Sequence, residues 1–309
     1  MELLTLFYQI LVLFMILLIG FIIYRLKVID EHLIGGLSRL IMDVTLPAMI
    51  ITSMSFDFSR EILFKSGQLF FISLGLYFFS WIIALLVTWK MKITDRERDI
   101  FQFMLTFSNV GFMGYPVIGA IYGKLGIFYT SIFNFTFGLV VWTLGVWLFR
   151  RREGENFTFH WRMFLTPGIV AVLIGFGFFL FSIKLPYPIF HTLDLLGSTT
   201  TPLSMLMVGA LMGKSAIRKM WKNKQIYLAS FVRLVVIPFF TLILVLPFKF
   251  SETMLGVIVI LMGMPAAANT AIFAKRFGGD AELGAEVVFI STLFSIVTIP
   301  CFLFLLKAL

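Results

Sequence analysis

The feature that most constrains this chain is the recurrence of apolar stretches long enough to cross a lipid bilayer. Ten can be drawn, over approximately 5–24, 33–54, 66–89, 100–122, 126–149, 166–183, 195–213, 225–247, 254–274 and 286–306. Crossing about 30 Å of hydrocarbon at 1.5 Å per residue takes roughly 20 residues, and each stretch is near that length. In hydrocarbon every backbone N–H and C=O must be paired within the chain, which leaves helices or closed barrels. The stretches are long and unbroken rather than short and alternating, so helices are expected. Composition agrees, because only 13% of residues are charged and 60% are hydrophobic, whereas a soluble domain is about a quarter charged. The expected fold class is an all-α polytopic membrane protein with ten transmembrane helices. The opening residues, Met1 to Ile10, carry no basic region and no small-residue cleavage site. They read as the first span, not as a removable signal.

The formal net charge of +9 resembles a nucleic-acid signal until its distribution is followed. The first, third, fifth, seventh and ninth connections hold seventeen basic residues: Arg25 and Lys27; Lys90, Lys92, Arg96 and Arg98; Arg150, Arg151, Arg152 and Arg162; Lys214, Arg218, Lys219, Lys222 and Lys224; Lys275 and Arg276. The other connections and the tail hold six, Arg60, Lys65, Lys124, Lys184, Lys249 and Lys307. The positive-inside rule then puts the odd connections in the cytoplasm and both termini outside it. The expected setting is the inner (plasma) membrane, with no nucleic-acid partner.

Three landmarks recur at nearly one interval. Thr45-Leu46-Pro47 matches Thr200-Thr201-Pro202, Pro116 matches Pro265, and Gly123 matches Gly278, at separations of 155, 149 and 155 residues. Half the chain is about that long, and five spans per half is an odd number. The second half must enter from the opposite face, giving two inverted five-helix repeats, 1–155 and 156–309.

The fourth span contains Ser108-Asn109-Val110-Gly111-Phe112-Met113-Gly114-Tyr115-Pro116, and the ninth contains Gly263-Met264-Pro265-Ala266-Ala267-Ala268-Asn269-Thr270. Each packs small residues, an amide and a proline into the middle of a span. Proline removes a helical hydrogen bond and clashes with the preceding turn, so both helices are expected to break near the midplane, at Pro116 and Pro265. Each break exposes N–H groups at a new half-helix N-terminus, where a carboxylate is favoured. Asn109 and Asn269 add neutral donors and acceptors, and Gly111 and Gly114 let two backbones cross closely. These six residues are the candidate substrate site.

Ionisable residues inside spans come next. Arg39 and Asp43 stand four apart and are expected to share a face and pair. Asp43 could instead take up a proton, and Arg233, about two turns into the eighth span, could attract anions. Glu286 reads as interfacial. The single cysteine, Cys301, and three scattered histidines, His32, His160 and His191, build no metal site. Gly209-Ala210-Leu211-Met212-Gly213-Lys214-Ser215 resembles a phosphate loop but is one residue short and follows no strand. No HExxH, GxSxG or GxGD motif is present, so neither an enzyme nor a cofactor is expected. Asn156-Phe157-Thr158 fits a glycosylation pattern but falls in a cytoplasmic connection.

The run from Asn109 to Pro116, continued to Tyr122-Gly123, resembles the fourth span of the auxin efflux carrier family. Pro265 followed by Ile272-Phe273-Ala274-Lys275 resembles that family's ninth span. The resemblance extends over the whole chain in length and span count. It implies a scaffold domain from spans 1, 2, 6 and 7, a transport domain from spans 3–5 and 8–10, and a homodimer through the scaffold. It also implies a substrate carboxylate where the broken fourth and ninth spans cross, near Asn109, Pro116 and Pro265; Asn269 departs from the register of that family's ninth-span motif, whose second proline is missing here. The connection between the fifth and sixth spans is short, as in bacterial relatives similar to permeases for malate, malonate and related carboxylates. The expected function is elevator-type secondary transport of small mono- or dicarboxylates. Two alternatives stand beside it: a sodium-coupled symporter of the bile-acid type, and a membrane receptor that binds without transporting.

Overall fold

The structure, a computed structural model, describes residues 2–151, 165–214, 223–276 and 279–309. Arg152, the Asn156-Phe157-Thr158 triplet, His160, Arg162, Ser215, Arg218, Lys219, Lys222 and Gly278 lie outside the described residues. The described chain is helical, with one isolated β-bridge. Seven helices are long and apolar enough to cross a membrane: Phe7–Arg25, Glu31–Ser53, Arg60–Lys90, Val110–Arg150, Tyr187–Lys214, Lys224–Phe248 and Ala281–Ala308. Pro167–Leu180 and Glu252–Met262 are shorter apolar helices. Large apolar side chains point outward, as Phe64, Phe71 and Phe78 do at seven-residue spacing along one helix. A water-soluble surface would not carry such a stripe, whereas lipid accepts it. The chain is a multi-pass membrane protein.

The prolines widen helices more often than they break them. Pro47, Pro116 and Pro238 each stand two residues beyond a five-residue π-helical stretch, at Ile41–Thr45, Val110–Gly114 and Val232–Val236. A proline ring collides with the carbonyl four residues earlier, here that of Asp43, Phe112 or Leu234, the middle of each stretch. Loosening the turn to an i→i+5 pattern moves that carbonyl aside while keeping the helix. The first π turn also corrects the expected Arg39–Asp43 pair. It begins between the two residues, so a spacing of four no longer stacks them. Both are exposed and no ion pair joins them.

The chain divides into two compact units. The first comprises Met1–Ile72, Gly111–Gly138 and Trp161–Gly213. Its helices touch at glycines. A Cβ at Gly209 would lie 1.9 Å from the Leu17 carbonyl oxygen, and one at Gly20 would lie 2.2 Å from that of Leu206. Gly213 meets the Tyr24 ring in the same row. The stretch resembling a phosphate loop is therefore a G-x-x-x-G crossing that brings helix backbones into contact. Helix Leu46–Ser53 packs on Pro167–Leu180 and on Tyr187–Ser198. The Ser/Thr-rich run after Leu196 bends its helix. Ser198 and Thr199 hydroxyls donate to the Leu195 and Leu196 carbonyls, each at 2.7 Å, a back-bonding that competes with the helical ladder.

Gly123 interrupts Val110–Arg150 with φ 59° and ψ −149°, a backbone region open essentially to glycine. A Cβ there would meet nothing within 4 Å, so the cost of a side chain is purely conformational. Gly123→Ala is expected to lower stability by about 1–3 kcal/mol, read as a fall in the thermal unfolding midpoint of the purified protein.

The second unit comprises Ser73–Val110, Leu139–His160 and Lys214–Leu309. Helix Asp95–Thr106 starts sharply because Thr94 and Glu97 form a reciprocal capping box. Its core gathers around Phe103, whose ring lies 4.6 Å from Phe107, 5.2 Å from Phe273 and 5.4 Å from Phe149. These aromatic pairs fix the short helix Thr270–Arg276 against Asp95–Thr106.

Candidate functional site

Two helices of the second unit stop in mid-course and cross. Helix Asp95–Thr106 ends at Phe107, whose backbone turns extended at φ −106°, ψ 117°. Helix Glu252–Met262 ends at Gly263, and the chain runs without helix to Thr270. The two extended pieces pair as a single antiparallel bridge between Ser108 and Ala266. Asn109 N–H donates to the Pro265 carbonyl at 2.9 Å, and Ala267 N–H donates to the Phe107 carbonyl at 3.1 Å. A third bond secures the crossing, from Ala266 N–H to Ser291 Oγ at 3.1 Å. Backbone groups stripped of helical partners are costly in an apolar interior, and the bridge satisfies four of them at once.

The bridge corrects the expected position of the first break. The fourth span opens at Phe107–Asn109, and Pro116 lies in the helix that follows the π turn. Pro265 lies inside the non-helical linker, where its carbonyl is a bridge acceptor. Asn109 is buried at 2% exposure. Asn269 is half-buried, and its carbonyl accepts the Phe273 N–H at 2.8 Å, so it opens helix Thr270–Arg276. That helix has seven residues, too few to develop much of a dipole. Asn109, Pro265 and Asn269 belong to the second unit, and Gly111, Gly114 and Pro116 to the first.

In the first unit, Pro116 lines a cavity of about 290 Å³ with Thr52, Ser53, Lys124, Asp194 and Thr201. Lys124 Nζ lies 3.2 Å from Asp194 Oδ1 and 5.0 Å above the Phe190 ring. Ser198 and Thr201 bring two hydroxyls of the weakly apolar Ser/Thr run to this cavity.

Arg233 is fully buried at the crossing. Its Nη1 donates to the Leu105 carbonyl at 2.9 Å and its Nε to the Met264 carbonyl at 3.1 Å. In an unbroken helix the Leu105 carbonyl would be served by Asn109 N–H, which has gone to Pro265 instead. Glu286 is also buried, at 8% exposure, six residues inside Ala281–Ala308, which corrects its interfacial placement. The helix begins earlier than its apolar run suggests, because Asp280 accepts from Glu282 and Leu283 N–H and starts it five residues early.

A further polar cluster was not visible as a site in the sequence. Asp99, 4% exposed, pairs with Arg151, whose Nε lies 3.1 Å from Asp99 Oδ1. Arg151 Nη2 also donates to Gln102 Oε1 at 2.8 Å, and Gln102 Nε2 donates to Thr88 Oγ1 at 2.8 Å. Asp99, Gln102 and Thr106 stand at i, i+3 and i+7, one helical face, and that spacing was the available signal. Arg151→Ala is expected to strand a buried carboxylate and cost about 3–5 kcal/mol. Thermal unfolding checks this, with Arg151→Lys restoring part of the loss.

The sequence profile of a family described as "Membrane transport protein" matches residues 5–303. The chain belongs to this membrane transport protein family. The auxin efflux carrier family expected from the fourth and ninth spans fits the match. The chain is similar to an uncharacterized transporter of Methanothermobacter thermautotrophicus, 26% identical over 92% of each chain. It is similar to the uncharacterized transporter YfdV of Escherichia coli K12, 22% identical over 94% of each. It also resembles the uncharacterized transporter MJ1031 of Methanocaldococcus jannaschii, 23% identical over 94% of this chain and 95% of that one. These matches run nearly end to end, so transport as a function attaches to the whole chain of this family member.

Proposed function

We propose that this membrane transport protein is a secondary transporter of small mono- or dicarboxylates, working by elevator-type alternating access in the inner membrane. The observation that carries the proposal is the crossover. Two helices are interrupted inside an apolar unit, and a buried amide, Asn109, stands beside the bridge. Irregular backbone at membrane depth is tolerated where it is buried in protein or lines a cavity, and transporters use such breaks to hold substrate. Asn109 and Asn269 supply neutral donors, and the N–H groups opening the Val110 stretch favour a carboxylate.

Ten spans in two inverted repeats fit this reading. Val110–Arg150 contains 41 residues, about 60 Å of helix and twice the hydrocarbon thickness. Gly123 is the point at which it divides into two crossings. Helix Pro167–Leu180 and the broken pair Glu252–Met262 with Thr270–Arg276 complete the ten, with both termini extracytoplasmic. The transport domain would comprise spans 3–5 and 8–10 and carry the crossover, and the scaffold would form a homodimer, as the auxin efflux carrier resemblance implies.

Purified protein in liposomes, offered a panel of labelled mono- and dicarboxylates, tests the proposal. Saturable uptake and counterflow of at least one carboxylate are expected. Binding without counterflow would make the protein a receptor, and uptake confined to cations or neutral solutes would remove the anion assignment.

A further inference from the structure

The crossover brings together two helix C-termini. Asp95–Thr106 and Glu252–Met262 contain 12 and 11 residues and both end at the bridge. Each helix C-terminus carries about half a negative charge on carbonyls with no intrahelical partner. Two such ends facing one point in an apolar interior amount to about one negative charge, and transporters of crossover type place sodium ions or protons against such ends.

Here the point is already filled. Arg233 reaches the Leu105 carbonyl in the last turn of one helix and the Met264 carbonyl two residues beyond the end of the other, from a side chain with no exposed surface. No aspartate or glutamate among the described residues forms an ion pair with it, so the carbonyls where the two helices end at the bridge are its counter-charge. The π turn Val232–Val236, loosened by Pro238, contains the residue. Among the described atoms its Nη2 has no hydrogen-bond acceptor, which leaves one guanidinium nitrogen beyond the two carbonyl bonds.

We propose that Arg233 is a built-in cation occupying the position where a sodium-coupled crossover carrier holds its metal ion, so that this crossover closes without bound sodium. The inference deepens the transport reading by assigning its coupling: the charge that a co-transported cation would bring is supplied by the chain. Arg233 is a positioning residue, acting on substrate through the geometry of the bridge.

The test needs no substrate, so its failure and that of the carboxylate assignment are distinguishable. Full-length protein in lipid nanodiscs is unfolded thermally in choline chloride, in sodium chloride, and in choline chloride with millimolar guanidinium. The wild-type midpoint is expected to be the same in all three. Arg233→Ala is expected to fall by roughly 5 °C or more in choline and to recover part of the loss in sodium or guanidinium. A merely structural arginine would give a loss equal in the three media, and that result overturns the proposal, as does a wild-type midpoint that rises with sodium. If Arg233→Ala yields no folded protein, the shorter, neutral and still polar Arg233→Gln takes its place. A cation-dependent midpoint for that variant supports the proposal, and a cation-independent one, or failure to fold in every medium, rejects it.

Discussion

Replacing Asn109 by alanine is expected to cut carboxylate uptake severely while leaving membrane insertion and thermal stability near wild type. The two effects separate because Asn109 contributes in two ways. Its backbone N–H holds the bridge by donating to the Pro265 carbonyl at 2.9 Å, and alanine keeps that group. Its side-chain amide, buried at 2% exposure, is the part that the proposed mechanism offers to a substrate. A hydrogen bond to a charged partner contributes about 1.5–3 kcal/mol, so losing it should weaken carboxylate binding by about 10- to 150-fold. Initial uptake rates in proteoliposomes measure this, with protein orientation and amount matched. Uptake by the alanine variant equal to wild type would place the substrate elsewhere, and the Lys124 cavity would be the next location to probe.

The largest stability effect is expected at Gly209. A Cβ there would stand 1.9 Å from the Leu17 carbonyl oxygen, and the obstructing atom is backbone, which cannot rotate away. Overpacking against movable side chains costs about 1–3 kcal/mol, so Gly209→Ala should exceed the upper end of that range, and Gly209→Leu should prevent accumulation of folded protein. Gly75→Ala is the control. Gly75 sits in the interior of Arg60–Lys90, exposed and with nothing within 4 Å of where a Cβ would stand, and alanine there should be neutral or stabilising by up to about 1 kcal/mol. Size-exclusion profiles and unfolding midpoints of the two variants decide. Equal behaviour of Gly209→Ala and Gly75→Ala would mean that the two helix backbones do not touch at Gly209.

Both effects depend on contacts that the sequence encodes without displaying. The apolar runs are legible because hydrophobicity over about twenty residues is a local sum. The runs fall on helix except where the fourth and ninth open, and the family's characteristic stretch around Asn109 to Pro116 could be read directly. Prolines were legible as perturbations, but their outcome was not. Pro116, Pro47 and Pro238 widen a turn, whereas Pro265 sits in an open linker, and the same clash with a carbonyl can be relieved either way. The choice goes to whichever leaves the freed backbone groups paired. At Phe107–Asn109 and Pro265–Ala267 each segment satisfies the other, and their partners lie more than 150 residues apart in sequence.

Charge followed the same division. The loop distribution of Lys and Arg is a property of the sequence alone. Arg39 and Asp43 had pairing distance by count and lost it to a π turn. Asp99 and Arg151, outside any counted pair, are joined by the folding of helix on helix. Arg233 looked like an isolated charge seeking an anion, and the structure gives it two crossover carbonyls instead. The sequence by itself determined that this chain crosses a membrane many times and belongs with transporters, because burial in lipid is decided segment by segment. Only the tertiary structure decided where the helices open and what neutralises Arg233, because an orphaned carbonyl finds its partner through space and not along the chain.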